Sequence, residues 1–249
     1  MSTATTESTA AKVIKIILKA LCLILIFGTT AFFLWRVFSS GNPKSLERLT
    51  PNAALRDACL AADEAGESLT VRYQFQEDYI TSVENKNYGY FAITDTKFIP
   101  EAKQVQVLFR YNNSTIRHLK EDYKLPSLPD RDDELYDVTL YVLYDLTPDV
   151  ESDNDGKTPE AVKAVRYHAT SSTAGKKNLY NFRKLVFDGV EQTDENLPLL
   201  AVYVDFYYVG DLDYEKEAYG ALPLYLYTDI WDTYEPSKAE WEAIRNYND

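Results

Sequence analysis

The chain has 249 residues, and its 26 Lys and Arg against 39 Asp and Glu give a net charge of −13 at pH 7. Residues 1–39 hold four basic residues and one acidic residue, which leaves 22 basic and 38 acidic residues, a net charge of −16, for residues 40–249. Such an acidic surface repels phosphate backbones, so nucleic acid is excluded as a partner.

The first element along the chain is an apolar stretch, residues 20–35, that contains no charged side chain. Three lysines precede it, Arg36 follows it, and Trp35 is placed like the interfacial aromatic residue at the end of a membrane span. Residues 13–38 are long enough to cross a hydrocarbon core of about 30 Å if the lysines reach the interface. We therefore predict that residues 13–38 anchor the protein in a lipid bilayer.

Two alternatives to an anchor are a cleaved signal peptide and a buried core helix. A signal peptide would place its cleavage site at the small residues 29–31. The apolar run continues beyond them through Trp35, which favours an uncleaved anchor.

The charge pattern also predicts the orientation in a cell membrane. The lysine cluster and the short N-terminal segment place residues 1–12 in the cytoplasm. Residues 39–49 are then a linker, and residues 50–249 form an acidic extracytoplasmic domain. Cys22 lies in the anchor and Cys59 just beyond it, so no disulfide forms within the domain, as fits a bacterial envelope protein.

Two helices in the domain have recognisable ends. Thr50 and Pro51 predict a helix start, with Thr50 as the N-cap, and Gly66 is placed to end that helix. Near the C-terminus, Ser237 and Glu240 have the spacing of a capping box.

From residue 69 onward, apolar and polar residues alternate with a period of two, which predicts strands. With only a few short helices between them, these strands should pair antiparallel in a sandwich or a barrel, and we favour the sandwich. Pro223 predicts an edge position or a bulge for its strand. About eight strands are predicted, at 69–75, 88–94, 103–111, 138–144, 164–170, 179–190, 202–208 and 222–226.

Three segments, YGYF (88–91), FIPEAKQVQVLFRYNNSTIRHL (98–119) and VFDGV (186–190), carry a resemblance to known proteins. Together with the anchor in front of them, they resemble a group of uncharacterised bacterial single-pass membrane proteins over most of the chain. That group has no assigned activity. The resemblance therefore implies the same architecture, an anchor followed by a β-rich extracytoplasmic domain, and assigns no catalytic residue.

The acidic loop 149–156 is a candidate calcium site. Glu151, Asp153 and Asp155 supply carboxylates at alternate positions before a glycine, as in an EF-hand loop. Position twelve, where a bidentate Glu belongs, is Val162, so a solvated loop without a cation is the alternative. No other cofactor is expected.

Twenty tyrosines suggest a second kind of site. Tyr203, Tyr207, Tyr225 and Tyr227 lie opposite the aliphatic residues of their strands. If they face solvent on neighbouring strands, they form an aromatic platform that stacks on envelope glycan or binds a protein partner. If both faces of the sheet are covered, they are part of the core.

No combination of residues in the sequence has the pattern of a catalytic site. We therefore predict that the protein is not an enzyme but a binding or structural module of the cell envelope. One alternative is a hydrolase acting on glycan through two opposed carboxylates. The acidic run 130–134 contains several carboxylates, but adjacency in sequence does not oppose them in space, and we interpret this run as a charged turn. The other alternative is an accessory subunit whose anchor packs against another membrane protein through the small residues 28–31.

Overall fold

The computed structural model describes residues 9–39, 41–74, 78–79, 81–82, 91–122, 136–145, 162–191, 199–208, 220–224 and 232–248. The chain divides into two compact units, residues 1–41 and residues 42–249.

The first unit contains one long apolar helix, α1 (Thr9–Ser39). Its stretch Lys12–Arg36 reaches a mean hydropathy of 2.3, and none of it is buried. By length and composition this helix qualifies as a membrane span, which agrees with the predicted anchor. The hydroxyl of Thr29 donates to the carbonyl oxygen of Leu25 at 2.8 Å, so this polar group is satisfied within its own helix.

The second unit is mainly β, as the alternation of period two predicted. Its helices are α2 (Lys44–Glu47), α3 (Ala53–Ala65), α4 (Asn113–Asp122) and α5 (Lys238–Arg245). Its strands are β1 (Val71–Gln74), β2 (Asp78–Tyr79), β3 (Thr81–Ser82), β4 (Ala92–Ile99), β5 (Gln104–Tyr111), β6 (Tyr136–Asp145), β7 (Val162–His168), β8 (Ser171–Lys177), β9 (Tyr180–Asp188), β10 (Leu199–Tyr208), β11 (Gly220–Leu224) and β12 (Asp232–Tyr234).

Among the described residues, these strands form two sheets in which every pairing is antiparallel, which confirms the predicted pairing. One sheet has seven strands in the order β12-β1-β4-β5-β9-β8, with β2 beside β4. The other has five, in the order β3-β11-β10-β6-β7. Strand β11 pairs with β3 at Gly220 and Ala221, and within the described residues Pro223 has a strand neighbour only on β10.

One face of each sheet contributes to a shared apolar core. The ring of Phe206 on β10 lies 4.5 Å from that of Phe91, next to β4, and 5.3 Å from that of Phe109 on β5, measured between centroids. The alternation predicted for β5, β6 and β10 is confirmed, because their apolar residues are buried in this core. They are Val105, Val107, Phe109, Tyr111, Val138, Leu140, Val142, Tyr144, Val202, Val204 and Phe206.

The other face of the seven-stranded sheet is covered as well. Helices α3 and α5 pack on it through a second cluster, in which Cys59 of α3 and Ile244 of α5 join Val71 and Ile99 of the sheet. Every residue of β4 and of β5 is therefore buried, polar ones included. Buried polar side chains on this face need partners, and those partners define the candidate site below.

The helix ends show one correction to the sequence analysis. Helix α3 is capped by Asn52, whose side-chain oxygen accepts a hydrogen bond from the Leu55 N–H at 3.0 Å. The prediction of Thr50 as the N-cap was wrong, because the backbone of Thr50 is bound by a side chain of the sheet instead. Gly66, at φ +71°, ends the helix as predicted, and the capping box of Ser237 and Glu240 is present.

Candidate functional site

The polar face of β5 and β9 is buried beneath the chain that follows α1. Gln104 and Gln106 of β5 and Lys184 of β9 are each at most 2% exposed. The alternation along these strands places them opposite the shared core, where a two-layer protein usually meets solvent. Here residues 42–50 lie across that face, and we call this segment the strap.

Side chains of the sheet hold the strap by its backbone. The amide nitrogen of Gln106 donates to the carbonyl oxygen of Thr50 at 3.1 Å, and its amide oxygen accepts from the Thr50 N–H at 3.0 Å. The ammonium group of Lys184 donates to the carbonyl oxygen of Arg48. The strap is therefore bound to the sheet through its peptide groups.

Two leucines of the strap are buried in separate apolar clusters. Leu46 packs with Leu108 and Phe182, and Leu49 belongs to the cluster under α3 and α5. Gly175 of β8 lies directly against Leu46, since a Cβ atom at Gly175 would be 2.7 Å from the Cδ1 atom of Leu46. The strap thus fits the sheet by shape as well as by hydrogen bonding.

Charged side chains lie beneath and beside the strap. Asp95 and Lys97 of β4 form an ion pair, and the side chains are 8% and 6% exposed. Burial and the neighbouring charge of Lys97 lower the pKa of Lys184 to about 7, against the opposing effects of Asp95 and Glu240. An amine with this pKa is a capable nucleophile, but Lys184 is buried and donates to the strap, so a dissolved substrate has no access to it.

Glu240 of α5 also binds the backbone of the strap. Its carboxylate accepts the Leu49 N–H at 2.9 Å, the hydroxyl of Tyr234 at 2.6 Å, and both the N–H and the hydroxyl of Ser237, at 3.0 and 2.7 Å. Burial by itself would raise the pKa of this carboxyl, but the hydrogen bonds from Ser237, Tyr234 and Leu49 outweigh it and lower the pKa.

An open pocket of about 450 Å³ lies where the strap meets the sheet and α5. This volume is in the range of small-molecule sites. The strap lines one side and the sheet with α5 lines the other. The lining residues are Asn42, Lys44, Glu47, Arg48, Asp95, Lys97, Tyr234 and Glu240.

The pocket is lined by three carboxylates, those of Glu47, Asp95 and Glu240, and a glycan hydrolase requires two, but Asp95 and Glu240 have the environments of structural groups. A general acid needs a raised pKa, whereas the pKa of Glu240 is lowered and its oxygens are occupied by four donors. Asp95 is paired with Lys97. Glu240 and Asp95 are thus engaged in contacts within the fold.

The predicted tyrosine platform is only partly described. Tyr203 and Tyr207 lie on β10, opposite its core-facing residues, and Tyr203 is in register with Tyr141 of β6. Tyr203 and Tyr141 are half-buried, and Tyr207 is 4% exposed. Tyr225 and Tyr227 lie outside the described residues.

The side chain of Arg166 on β7 reaches across β6 towards β10 on this face. Its guanidinium lies 4.9 Å from the ring centroid of Tyr141 and 5.0 Å from that of Tyr207. It donates to the carboxylate of Asp205 at 3.0 Å and to the hydroxyl of Thr139 at 2.8 Å. Burial raises the pKa of Asp205, although Arg166 opposes this shift. The sequence analysis did not find this cluster, which joins β6, β7 and β10.

The predicted calcium ligands Glu151, Asp153 and Asp155 lie outside the described residues, as does the acidic run 130–134. Within the described residues, no group of three or more His, Cys, Asp or Glu side chains has the arrangement of a metal site. The calcium site therefore stays a prediction.

The sequence analysis also missed the strap and its pocket. The stretch 39–49 was predicted as a linker because it is short and polar, yet Leu46 and Leu49 within it are 5% exposed. Two signals were present: these leucines, and the apolar residues Leu108 and Phe182 on the nominally polar faces of β5 and β9. An apolar residue on both faces of a strand indicates that both are covered.

Comparisons of this chain with protein-family models, with curated proteins and with solved structures found no match.

Proposed function

We propose that this protein is a single-pass, membrane-anchored binding module of a bacterial cell envelope, with a β-sandwich domain on the extracytoplasmic side. The observation that carries this proposal is the construction of the pocket. One of its walls is the strap, which begins three residues after the end of α1, and the other is formed by the sheet and α5. The two sheets that share one core support the sandwich.

A ligand in this pocket contacts the strap and the sheet at the same time. Because it binds the docked arrangement, it stabilises that arrangement by mass action. Only Ser40 and Gly41 separate Ser39, the last residue of α1, from Asn42, the first residue of the strap. Occupancy of the pocket therefore restrains the segment through which the domain is joined to its anchor.

Membrane topology is the first test. A C-terminal epitope tag is added to the full chain, and intact cells are treated with an external protease. We expect loss of the tag, since the domain lies outside, while α1 and the N-terminus remain cell-associated. Survival of the tag until the cells are lysed would place the domain in the cytoplasm and overturn the envelope location.

Binding is the second test. The full chain in a phosphate-free, uncharged detergent is heated with four kinds of small molecule: inorganic phosphate, a tetraalkylammonium salt, a zwitterionic amino acid and a neutral disaccharide. We expect at least one to raise the unfolding temperature of the wild type. Glu47→Trp, which places a ring at the rim of the pocket, should abolish the rise, and Glu64→Trp at an exposed position of α3 should not.

Two results would contradict the binding function. One is that none of the four classes raises the unfolding temperature of the wild type. The other is that the rise is the same in Glu47→Trp as in Glu64→Trp, because the ligand would then bind elsewhere.

A further inference from the structure

The pocket has more available cations than the acidity of the domain suggests. Lys44 and Arg48 line it from the strap, and both are exposed. Within the described residues neither side chain has an ion pair or a hydrogen bond. Lys97 lines the opposite wall, where its ammonium group is paired with Asp95 and lies 5.6 Å from the ring centroid of Tyr234.

The acidic groups in the same pocket are largely committed. The carboxylate of Glu240 is saturated by four donors, and Asp95 is paired with Lys97. Glu47 is the remaining carboxylate of the lining, and it is exposed at the rim. The formal charges of the lining balance, with three cations against three carboxylates, but its free hydrogen-bonding groups do not: Lys44 and Arg48 are unpaired donors, whereas Glu47 is the one carboxylate without a partner among the described residues.

The net charge of −16 on residues 40–249 acts only weakly on a ligand in this pocket. Charges on an exposed surface are screened over about 8 Å at physiological ionic strength. A ligand inside the pocket therefore responds mainly to the groups that line it. Arg48 adds the planar fork that matches a phosphate or carboxylate.

We propose that this pocket binds a phosphate group, held between Lys44 and Arg48 of the strap and Lys97 of β4. The inference rests on the proposed binding function and names the chemical class of its ligand. A phosphate accepts several charge-assisted hydrogen bonds at once, which suits Lys44 and Arg48, unpaired donors within the described residues, on one wall and Lys97, paired with Asp95, on the other. The volume of about 450 Å³ leaves room for the group to which the phosphate is attached.

Two sources supply such a phosphate. One is the head group of a phospholipid, since the strap that carries Lys44 and Arg48 begins three residues after the end of the membrane-spanning α1. The other is free phosphate or a soluble phosphate ester. Both place the same chemistry in the pocket, and they differ in whether the bilayer provides the ligand.

The test is calorimetric titration of the full chain in the same uncharged detergent. One arm uses inorganic phosphate and the other a short-chain phosphatidylethanolamine below its micelle concentration. In the titration in which the wild type shows saturable binding, we expect the double variant K44Q/R48Q to bind that ligand at least about tenfold more weakly. The matched control K163Q/K176Q removes two charges from exposed lysines of β7 and β8 outside the pocket, and should bind like the wild type.

A third variant should increase the affinity for phosphate instead of reducing it. Glu47→Gln removes the one carboxylate that opposes an anion at the rim, so phosphate affinity should rise about two- to fivefold. Tighter binding of the short-chain lipid than of inorganic phosphate identifies a lipid head group, and the reverse order identifies a soluble phosphate.

Equal affinities of K44Q/R48Q and K163Q/K176Q in both arms, or no saturable binding in either arm, would overturn the phosphate site. If a different class of molecule then raises the unfolding temperature and Glu47→Trp abolishes the rise, the binding function stands with another ligand. If no class does, both proposals fall together.

Discussion

Leu46 of the strap lies so close to Gly175 of β8 that a Cβ atom at position 175 would be 2.7 Å from the Cδ1 atom of the leucine. Real Cβ atoms do not approach a carbon atom this closely. Position 175 accepts the strap because glycine has no side chain, which is one recognised reason for a glycine within a strand. The fit of the strap to the sheet therefore depends on this pair, and it can be tested through either residue.

Gly175→Ala should loosen the strap. The added methyl group forces Leu46 to turn away, and overpacking of this kind costs about 1 to 2 kcal/mol of unfolding free energy. Hydrogen exchange should show faster exchange at the Leu49 and Thr50 amides, which are bonded to Glu240 and Gln106 in the docked strap.

A double-mutant cycle separates this effect from a general weakening of β8. Leu46→Ala alone should cost about 2 kcal/mol or more, because Leu46 is buried. In the Leu46→Ala background, Gly175→Ala should have little further effect, since the leucine is gone. Additive free energies would show that the two residues do not interact as described.

Lys184→Met should change how stability depends on pH. The pKa of Lys184 is lowered in the folded protein from an ordinary 10.5 to about 7, so between these values the unfolded chain binds more protons. The free energy of unfolding therefore increases through this group as the pH rises from about 7 to 10.5. Below pH 7 the amine is charged in both states, and the folded protein bears the full free-energy cost of burying that charge. The variant should lack this rise.

The measurement is the free energy of unfolding by denaturant at several values of pH from 6 to 10. The difference between wild type and Lys184→Met should move in favour of the wild type as the pH increases. Lys176→Met, at an exposed position of β8, is the control and should leave the slope unchanged. Parallel curves for Lys184→Met and wild type would show that Lys184 is not a charge-sensitive residue of the fold.

Glu240→Gln should destabilise the protein near neutral pH by about 1 to 3 kcal/mol, because a neutral amide cannot accept from all four donors. The pKa of Glu240 is lowered below its ordinary value of 4.5. The stabilisation by the carboxylate is therefore present above pH 4.5 and is lost as the pH falls through the lower folded pKa. The penalty for the variant should shrink in acid.

Glu242→Gln is the matched control for that change, since Glu242 is an exposed residue of the same helix. Chemical denaturation at pH 7 and at pH 3 compares the two variants with the wild type. An equal loss of stability in both variants, or a loss for Glu240→Gln that is the same at both values of pH, contradicts the assigned role.

Cys59 reports whether the cluster under α3 and α5 opens. The thiol is fully buried and burial raises its pKa, so both access and thiolate formation are suppressed. In a Cys22→Ser background, Cys59 of the native protein should react with iodoacetamide at pH 8 at least about a hundredfold more slowly than in denaturant. Reaction at comparable rates would show that α3 does not cover the sheet as described.

Much of the architecture was predictable because its signals are local. The apolar stretch, the period-two alternation of β5, β6 and β10, the glycine that ends α3 and the capping box at Ser237 each depend on a few neighbouring residues. The N-cap of α3 was misplaced at Thr50 because local chemistry does not show that a distant side chain, Gln106, already binds that backbone.

The sequence by itself determined an apolar helix that qualifies as a membrane span, a mainly β domain of high negative charge, and the strand faces that form its shared core. Only the tertiary structure decided that the opposite face of the seven-stranded sheet is also covered, and that the chain after α1 covers it. The contact between Leu49 and Glu240 joins residues 191 positions apart. No period or motif encodes such a contact, because it arises from how the elements pack and from the need of each buried polar group for a partner.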